Sequence, residues 1–327
     1  MTQETFRRTF LTVLYLLCIP VTFFLARLVS QQSVQVTESA RAVTAVSSGA
    51  FEVTLTAQDM QTGDIRIPLP ADVTREQVVF ENRYLEHALY ITIDTRQRGF
   101  YVDHAVLCDT KKTGGITCFL HDNDTIGLRI KTASLYDPSF RVENGALNVF
   151  LSAPGENAEH VIVLDPVYGG TGSDVSLALA TRLQNELLSS PLSCRVYLTR
   201  TDAQSASDEA VASLIKESGA SRYLRLSMPE GEAALSASLS FTDSFFIRGY
   251  GNAPFAADVM RALSAVNTLH AGDIRTVSDD ARLADIRIPA LSVHIEGVRS
   301  SLGGDETVLT ELSRALCTAL RIGFSAT

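Results

Sequence analysis

Near the carboxyl end, Ser292, His294 and Glu296 recur at every second position, separated by Leu291, Val293 and Ile295. On a strand this spacing puts all three polar side chains on one face, as expected where a sheet lines a cleft. An imidazole beside a carboxylate suits general acid and base work or metal binding, and it is also a common hydrogen-bonded pair. A second set lies at Asp165-Pro166-Val167-Tyr168-Gly169-Gly170-Thr171-Gly172, which offers a carboxylate, a phenol and a breaker-rich loop. Asp165 with His294 would give two ligands of a metal site, and Asp165 is equally suited to capping its own turn. Ser227 ends the run Leu224-Arg225-Leu226-Ser227. It stands in no GxSxG elbow and has no histidine that the sequence places beside it, which argues against a serine hydrolase.

These residues need a frame. Val161 to Leu164 is a continuous apolar run, as in a strand covered on both faces. After the glycine-rich loop, Val175, Leu179, Leu183 and Leu187 recur at four-residue spacing, a helical stripe with Asp174 in its first turn. Strands are expected at 195–198, 223–226 and 290–296, helices near 207–217, 254–266 and 306–320, and a strand-rich stretch at 235–247. This alternation predicts an α/β domain with a mainly parallel sheet flanked by helices. The loop contains neither GxGxxG nor GxxxxGK[ST], and no acidic residue is placed for a ribose, so a nucleotide site is disfavoured.

Together these segments resemble the zinc-dependent N-acetylmuramoyl-L-alanine amidases, which cut peptidoglycan between muramic acid and the stem peptide. Val161–Gly170 looks like the family's IVIDPGHGG, Asp174–Leu183 like DVNLALAxxL, and Arg195–Arg200 is similar to a strand ending in LTR. Ile288–Val293 looks like PAVLVE, and a terminal helix follows. The resemblance implies an amidase-like domain over 158–327 with three zinc ligands and an open position for water. It places the first histidine ligand on Tyr168, the glutamate ligand on Gly172, the SIH histidine on Ser227 and the general base on His294. A phenol, a glycine and a neutral hydroxyl are poor zinc donors, so the resemblance implies the fold without its metal: cofactor none, zinc ligands lost, the cleft residues Asp165, Tyr168, Gly172, Ser227, His294 and Glu296 vestigial. If the site is active, the motif shifts by two residues and Glu296 acts as base with His294.

Residues 51–154 carry short alternating segments at 51–56, 77–80, 88–94, 102–108, 116–120, 126–130 and 146–151, which predict a smaller all-β, sandwich-like domain. It loosely resembles amidase-associated wall-targeting domains. Cys108 and Cys118 flank Lys111–Gly115; a turn centred on Thr113 would set them opposite each other on adjacent strands, as a disulfide or as two buried thiols. His121-Asp122-Asn123-Asp124 reads as a solvated turn.

At the amino terminus, Arg7 and Arg8 precede an apolar run from Thr9 to Ala26, long enough for a transmembrane signal-anchor over 1–30. A small-x-small cleavage site, Ala40-Arg41-Ala42, lies far past the run, and Leu17 disfavours lipid attachment at Cys18. Residues 31–50, rich in Ser, Thr, Gln and Ala, read as a linker. The arginines inside would put the folded domains on the extracytoplasmic side of the cell membrane.

The chain of 327 residues is 46% apolar and 20% charged, which allows two buried cores and excludes wholesale disorder. With 28 Lys and Arg against 37 Asp and Glu, the net charge is −9, so no nucleic-acid partner is expected. The expectation is a non-catalytic protein that binds peptidoglycan or muropeptide fragments, or regulates another envelope protein. The alternatives are an active amidase with a rearranged metal site and a purely structural partner of a membrane complex.

Overall fold

The computed structural model describes residues 50–57, 63–121, 125–169, 174–229, 231, 234–243, 249–297 and 306–325. The expected anchor and linker therefore lie outside the described residues, apart from Ala50. No helix among the described residues is long and apolar enough to cross a membrane. From Ser48 onward the chain forms one compact unit, with separate cores in its two halves.

The first half contains β1 (Ala50–Glu52), β2 (Leu55–Ala57), β3 (Ile65–Pro68), β4 (Val78–Arg83), β5 (Ala88–Asp94), a helical turn α1 (Phe100–Asp103), β6 (Val106–Cys108), β7 (Thr113–Leu120), β8 (Thr125–Thr132), β9 (Asp137–Glu143) and β10 (Ala146–Ser152). They form two five-stranded sheets ordered β1-β7-β8-β5-β4 and β2-β6-β3-β10-β9. Alternation drives the pairing: Ile91 and Ile93 of one sheet face Ile65 and Ile67 of the other, all fully buried. Burying each such side chain contributes about 1.5–3 kcal/mol, so the sheets hold together by their facing residues. Almost every ladder is antiparallel; β2 with β6 is parallel. The expected β-rich region is seen as mostly antiparallel sheets, with β3 and β9 added, the 51–56 segment split between β1 and β2, and the 102–108 segment between α1 and β6. Asn144 and Gly145, both at positive φ, make the two-residue turn between β9 and β10, the backbone that Asn-Gly adopts most readily.

Cys108 and Cys118 are free, buried thiols, which corrects the disulfide alternative. Cys108 is on β6, paired to β2 and β3, whereas Cys118 is on β7, paired to β1 and β8. The residues between them cross from one sheet to the other and do not close a hairpin, so the two are not cross-strand neighbours.

The second half runs β11 (His160–Pro166), α2 (Val175–Ser189), β12 (Cys194–Leu198), α3 (Asp208–Ser218), β13 (Arg222–Ser227), β14 (Ser236–Phe241), α4 (Asn252–Leu263), β15 (His270–Thr276), α5 (Ala281–Ala284), β16 (Ala290–Glu296) and α6 (Glu306–Ser325). The sheet order is β12-β11-β13-β16-β14-β15. β12, β11, β13 and β16 are parallel, and β14 runs antiparallel to β16. One face, carrying Ile162, Leu164, Leu224, Leu226, Leu291, Val293 and Ile295, packs under α2, α4 and α6. The stripe Val175, Leu179, Leu183 and Leu187 is buried there as expected. On the other face Val163, Tyr197, Tyr223 and Ala290 pack against α3 and α5, together with Leu135 from the sandwich.

The cap chemistry explains the helix starts. Asp174 accepts the Leu177 N–H and Ser207 the Ala210 N–H, filling donors that a helix start leaves open. Gly219, at φ 64, stops α3 in a left-handed turn whose N–H returns to Ile215 and Lys216 carbonyls. β15 was not expected; every residue in it is exposed, so no apolar alternation marks it.

The halves are joined by named contacts. The Asp137 carboxylate accepts from Arg195 Nε at 2.9 Å and Tyr197 Oη at 2.9 Å, and from the Gly155 N–H at 3.0 Å. The Tyr84 ring meets Tyr197 edge-on at 4.9 Å, and His87 pairs with Glu217 at 3.0 Å.

Candidate functional site

In a parallel sheet the residues that face a ligand gather at the carboxyl ends of the strands, where loops leave the core. Asp165, Ser227, His294 and Glu296 all sit at or near those ends. The register sets their neighbours. Asp165 of β11 lies beside Arg225 of β13, which lies beside Ser292 of β16, and Ser240 of β14 follows. One step further toward the strand ends, Ser227 lies beside His294, and His294 beside Ser238. The polar row expected from 292, 294 and 296 is therefore extended across four strands, on the face opposite the helices α2, α4 and α6.

Ser227 and His294 are in contact, Oγ to Nδ1 at 3.1 Å, and His294 Nε2 reaches Glu296 Oε1 at 3.2 Å. A neutral imidazole carrying its proton on Nε2 satisfies both: Ser227 donates to Nδ1 and Nε2–H donates to the carboxylate. His294 and Glu296 have side-chain exposures of 38% and 59%, so the row is open to solvent at this end. Ser227 thus has the histidine partner that its sequence position alone did not reveal.

Asp165 is engaged by three side chains. It is buried, and its carboxylate accepts from Thr199 Oγ1 at 2.5 Å and Tyr223 Oη at 2.5 Å, with Arg282 Nη1 at 3.3 Å. Burial, with the adjoining Asp165 charge, pushes the Tyr223 phenol well above its usual range, so the phenol stays a donor. Asp165 is the centre of a hydrogen-bonded network joining β11, β12, β13 and α5; it does not cap its turn, and its lone pairs are engaged. Arg282 also pairs with Asp208 at the start of α3.

Tyr168 goes elsewhere. Its ring lies 5.5 Å from the guanidinium carbon of Arg200. Arg200 is buried and clamps the loop from both ends: Nε donates to the Pro166 carbonyl at 2.6 Å, and Nη2 to Asp174 Oδ1 at 2.8 Å. Burial raises the Asp174 carboxyl, but the Arg200 bond and the Leu177 N–H outweigh it and hold the group below its ordinary value. Gly172 lies outside the described residues. A cleft of about 160 Å³ opens beside this clamp, lined by Arg83, Tyr84 and Glu86 of the sandwich and by Thr199, Arg200 and Thr201.

A zinc ion needs three or four imidazole, thiolate or carboxylate donors about 2 Å from one point. No three His, Cys, Asp or Glu side chains are so grouped among the described residues. Tyr168 and Ser227 offer a phenol and a hydroxyl, and Asp165 is already engaged, so these residues do not fit the ion. Sequence reasoning missed Arg225, Arg200 and Tyr223. The signal for two of them was present in the alternation Tyr223, Arg225, Ser227, which is as regular as that of 292, 294 and 296.

No protein-family model matches the chain, and no curated protein matches it. Among solved structures, similarity lies over the carboxy-terminal half, at TM-scores near 0.4 and low identity, to N-acetylmuramoyl-L-alanine amidase catalytic domains. The catalytic domain of CwlV from Bacillus (Paenibacillus) polymyxa var. colistinus has a TM-score of 0.43 at 14% identity, covering 51% of this chain and 99% of that one. An N-acetylmuramoyl-L-alanine amidase from Clostridium difficile 630 has 0.45 at 18% identity, covering 53% and 100%. AmiC2 of Nostoc punctiforme has 0.44 at 14% identity, covering 52% and 99%.

Proposed function

We propose that this is a membrane-anchored, extracytoplasmic envelope protein whose amidase-like half binds peptidoglycan fragments, or docks to and regulates another envelope protein, without zinc-dependent hydrolysis. The reading is supported by the order of the sequence landmarks, which fall on β11, α2, β12, β16 and α6. The observation that carries it is the Ser227–His294–Glu296 row. At the position where the resemblance implies a zinc-binding imidazole stands a hydroxyl already engaged by a neighbouring histidine. A polar, half-open row at the strand ends suits recognition of a peptide or sugar.

The test uses full-length protein in detergent micelles. Metal analysis should find no tightly bound zinc, muropeptides should bind without being cleaved, and a chelator should change neither result. Stoichiometric zinc with chelator-sensitive cleavage would instead establish the second reading, an amidase with a rearranged metal site at His294 and Glu296. That reading is favoured by the exposure of those two side chains at the end of β16. The topology is tested separately by protease shaving of intact cells stripped of wall, which should digest the folded region from outside.

A further inference from the structure

A guanidinium taken largely out of water needs acceptors, because each buried donor without one costs about 1–3 kcal/mol. Arg225 departs from that rule. Its side chain is 27% exposed. Among the described residues its side chain makes one hydrogen bond, from Nη1 to Asp280 Oδ2 at 3.3 Å, and its Nε is buried without an acceptor.

One neighbouring carboxylate is committed elsewhere, and the other, Asp280, meets Arg225 through Oδ2 alone. Asp165, registered beside Arg225, has its oxygens on Thr199, Tyr223 and Arg282. Asp280 caps α5, accepting the Arg282 and Leu283 N–H groups through Oδ1. On the other side of Arg225 stand hydroxyls: Ser292 in register, and Ser227 two residues on, on the same face. Ser227 donates to His294, but a positive fork beside the Ser292 hydroxyl matches the planar, bidentate demand of a carboxylate. At the far end of the row Glu296 reverses the sign, so that end accepts N–H groups. The row therefore has a direction.

We infer that the row on β13 and β16 is a carboxylate-binding site for an acidic peptide, with the ligand carboxylate on Arg225 and Ser292 and its N–H groups toward Glu296. This rests on the peptidoglycan-binding reading and specifies its ligand: a stem peptide recognised through a free carboxylate. The guanidinium gains acceptors on binding, and the ligand exchanges water for a charge-assisted pair.

The experiment titrates full-length protein in detergent micelles with two synthetic muramyl dipeptides, one ending in D-isoglutamate and the other in D-isoglutamine. The wild type should prefer the free acid by about tenfold, as one charge-assisted pair is worth at least that. Arg225→Gln should abolish the preference, and Arg225→Lys should keep part of it. Unchanged thermal midpoints in both variants would show that folding is intact. Equal wild-type affinity for the two peptides, or a preference that survives Arg225→Gln, overturns this inference alone. Binding of neither peptide overturns the peptidoglycan-binding reading as well.

Discussion

Ser227 and His294 stand side by side on adjacent parallel strands, Oγ 3.1 Å from Nδ1. The imidazole is held on its other edge by Glu296, so two strands present one continuous polar chain at the mouth of the sheet. If the implied correspondence with the zinc amidases is right, three substitutions rebuild a ligand set. Tyr168→His, Gly172→Glu and Ser227→His in one chain should bind about one zinc, measured by metal analysis after dialysis and compared with the wild type. Failure to take up metal would overturn that correspondence.

Asp137 anchors the sandwich on the α/β half through Arg195 and Tyr197. Removing it leaves a largely buried guanidinium short of its anion, so Asp137→Ala should cost about 2–3 kcal/mol in urea unfolding. Arg195→Gln on the same background should cost much less than it does alone, a coupling that a double-mutant cycle reads directly.

Asp174 gives acid sensitivity a definite sign. Its folded-state pKa lies below its ordinary value of 3.8, so the stability it contributes is complete above the unfolded value and is lost as the pH falls through the folded one. Wild-type stability should drop as the pH falls through and below the ordinary carboxylate range, and Asp174→Asn should flatten that part of the curve. Equal slopes in the two proteins would mean that the Arg200 clamp contributes nothing to the acid limb.

The two cysteines of the sandwich should behave as core residues. Burial pushes the Cys118 thiol up to about 12, and burial, then the Asp109 charge, raises Cys108. Iodoacetamide should modify neither in the native protein at neutral pH and both after denaturation. Non-reducing digestion should release their peptides separately; a linked pair would contradict the placement of β6 and β7 in different sheets.

Much of the frame was legible because its signals are local. The stripe of α2 and the alternation of β16 are set by side-chain period, and the structure places both where their spacing predicts. β9 was missed although Asn144-Gly145 announces its turn and Phe140 and Val142 alternate with exposed Ser139, Arg141 and Glu143, because the segment is short and opens on Asp-Pro, which reads as a breaker. Cys108 and Cys118 failed for a different reason: a short loop permits a hairpin, and only pairing with distant strands decides against one. Asp165 was placed at a strand end correctly, but its role depends on Thr199, Tyr223 and Arg282, up to 117 residues away in sequence. Ser227 found its histidine by strand order, which no local pattern encodes.

Leu135 belongs to the sandwich by sequence yet is buried in the core beneath α3 and α5. The carboxy-terminal half is consequently not a detachable cassette. A fragment starting near His160 would lose the plug from one wall of its interior and the anion opposite Arg195, exposing greasy surface and a stranded charge together. Such a fragment should be recovered from cells as precipitate, while the chain from Ser48 onward stays in solution.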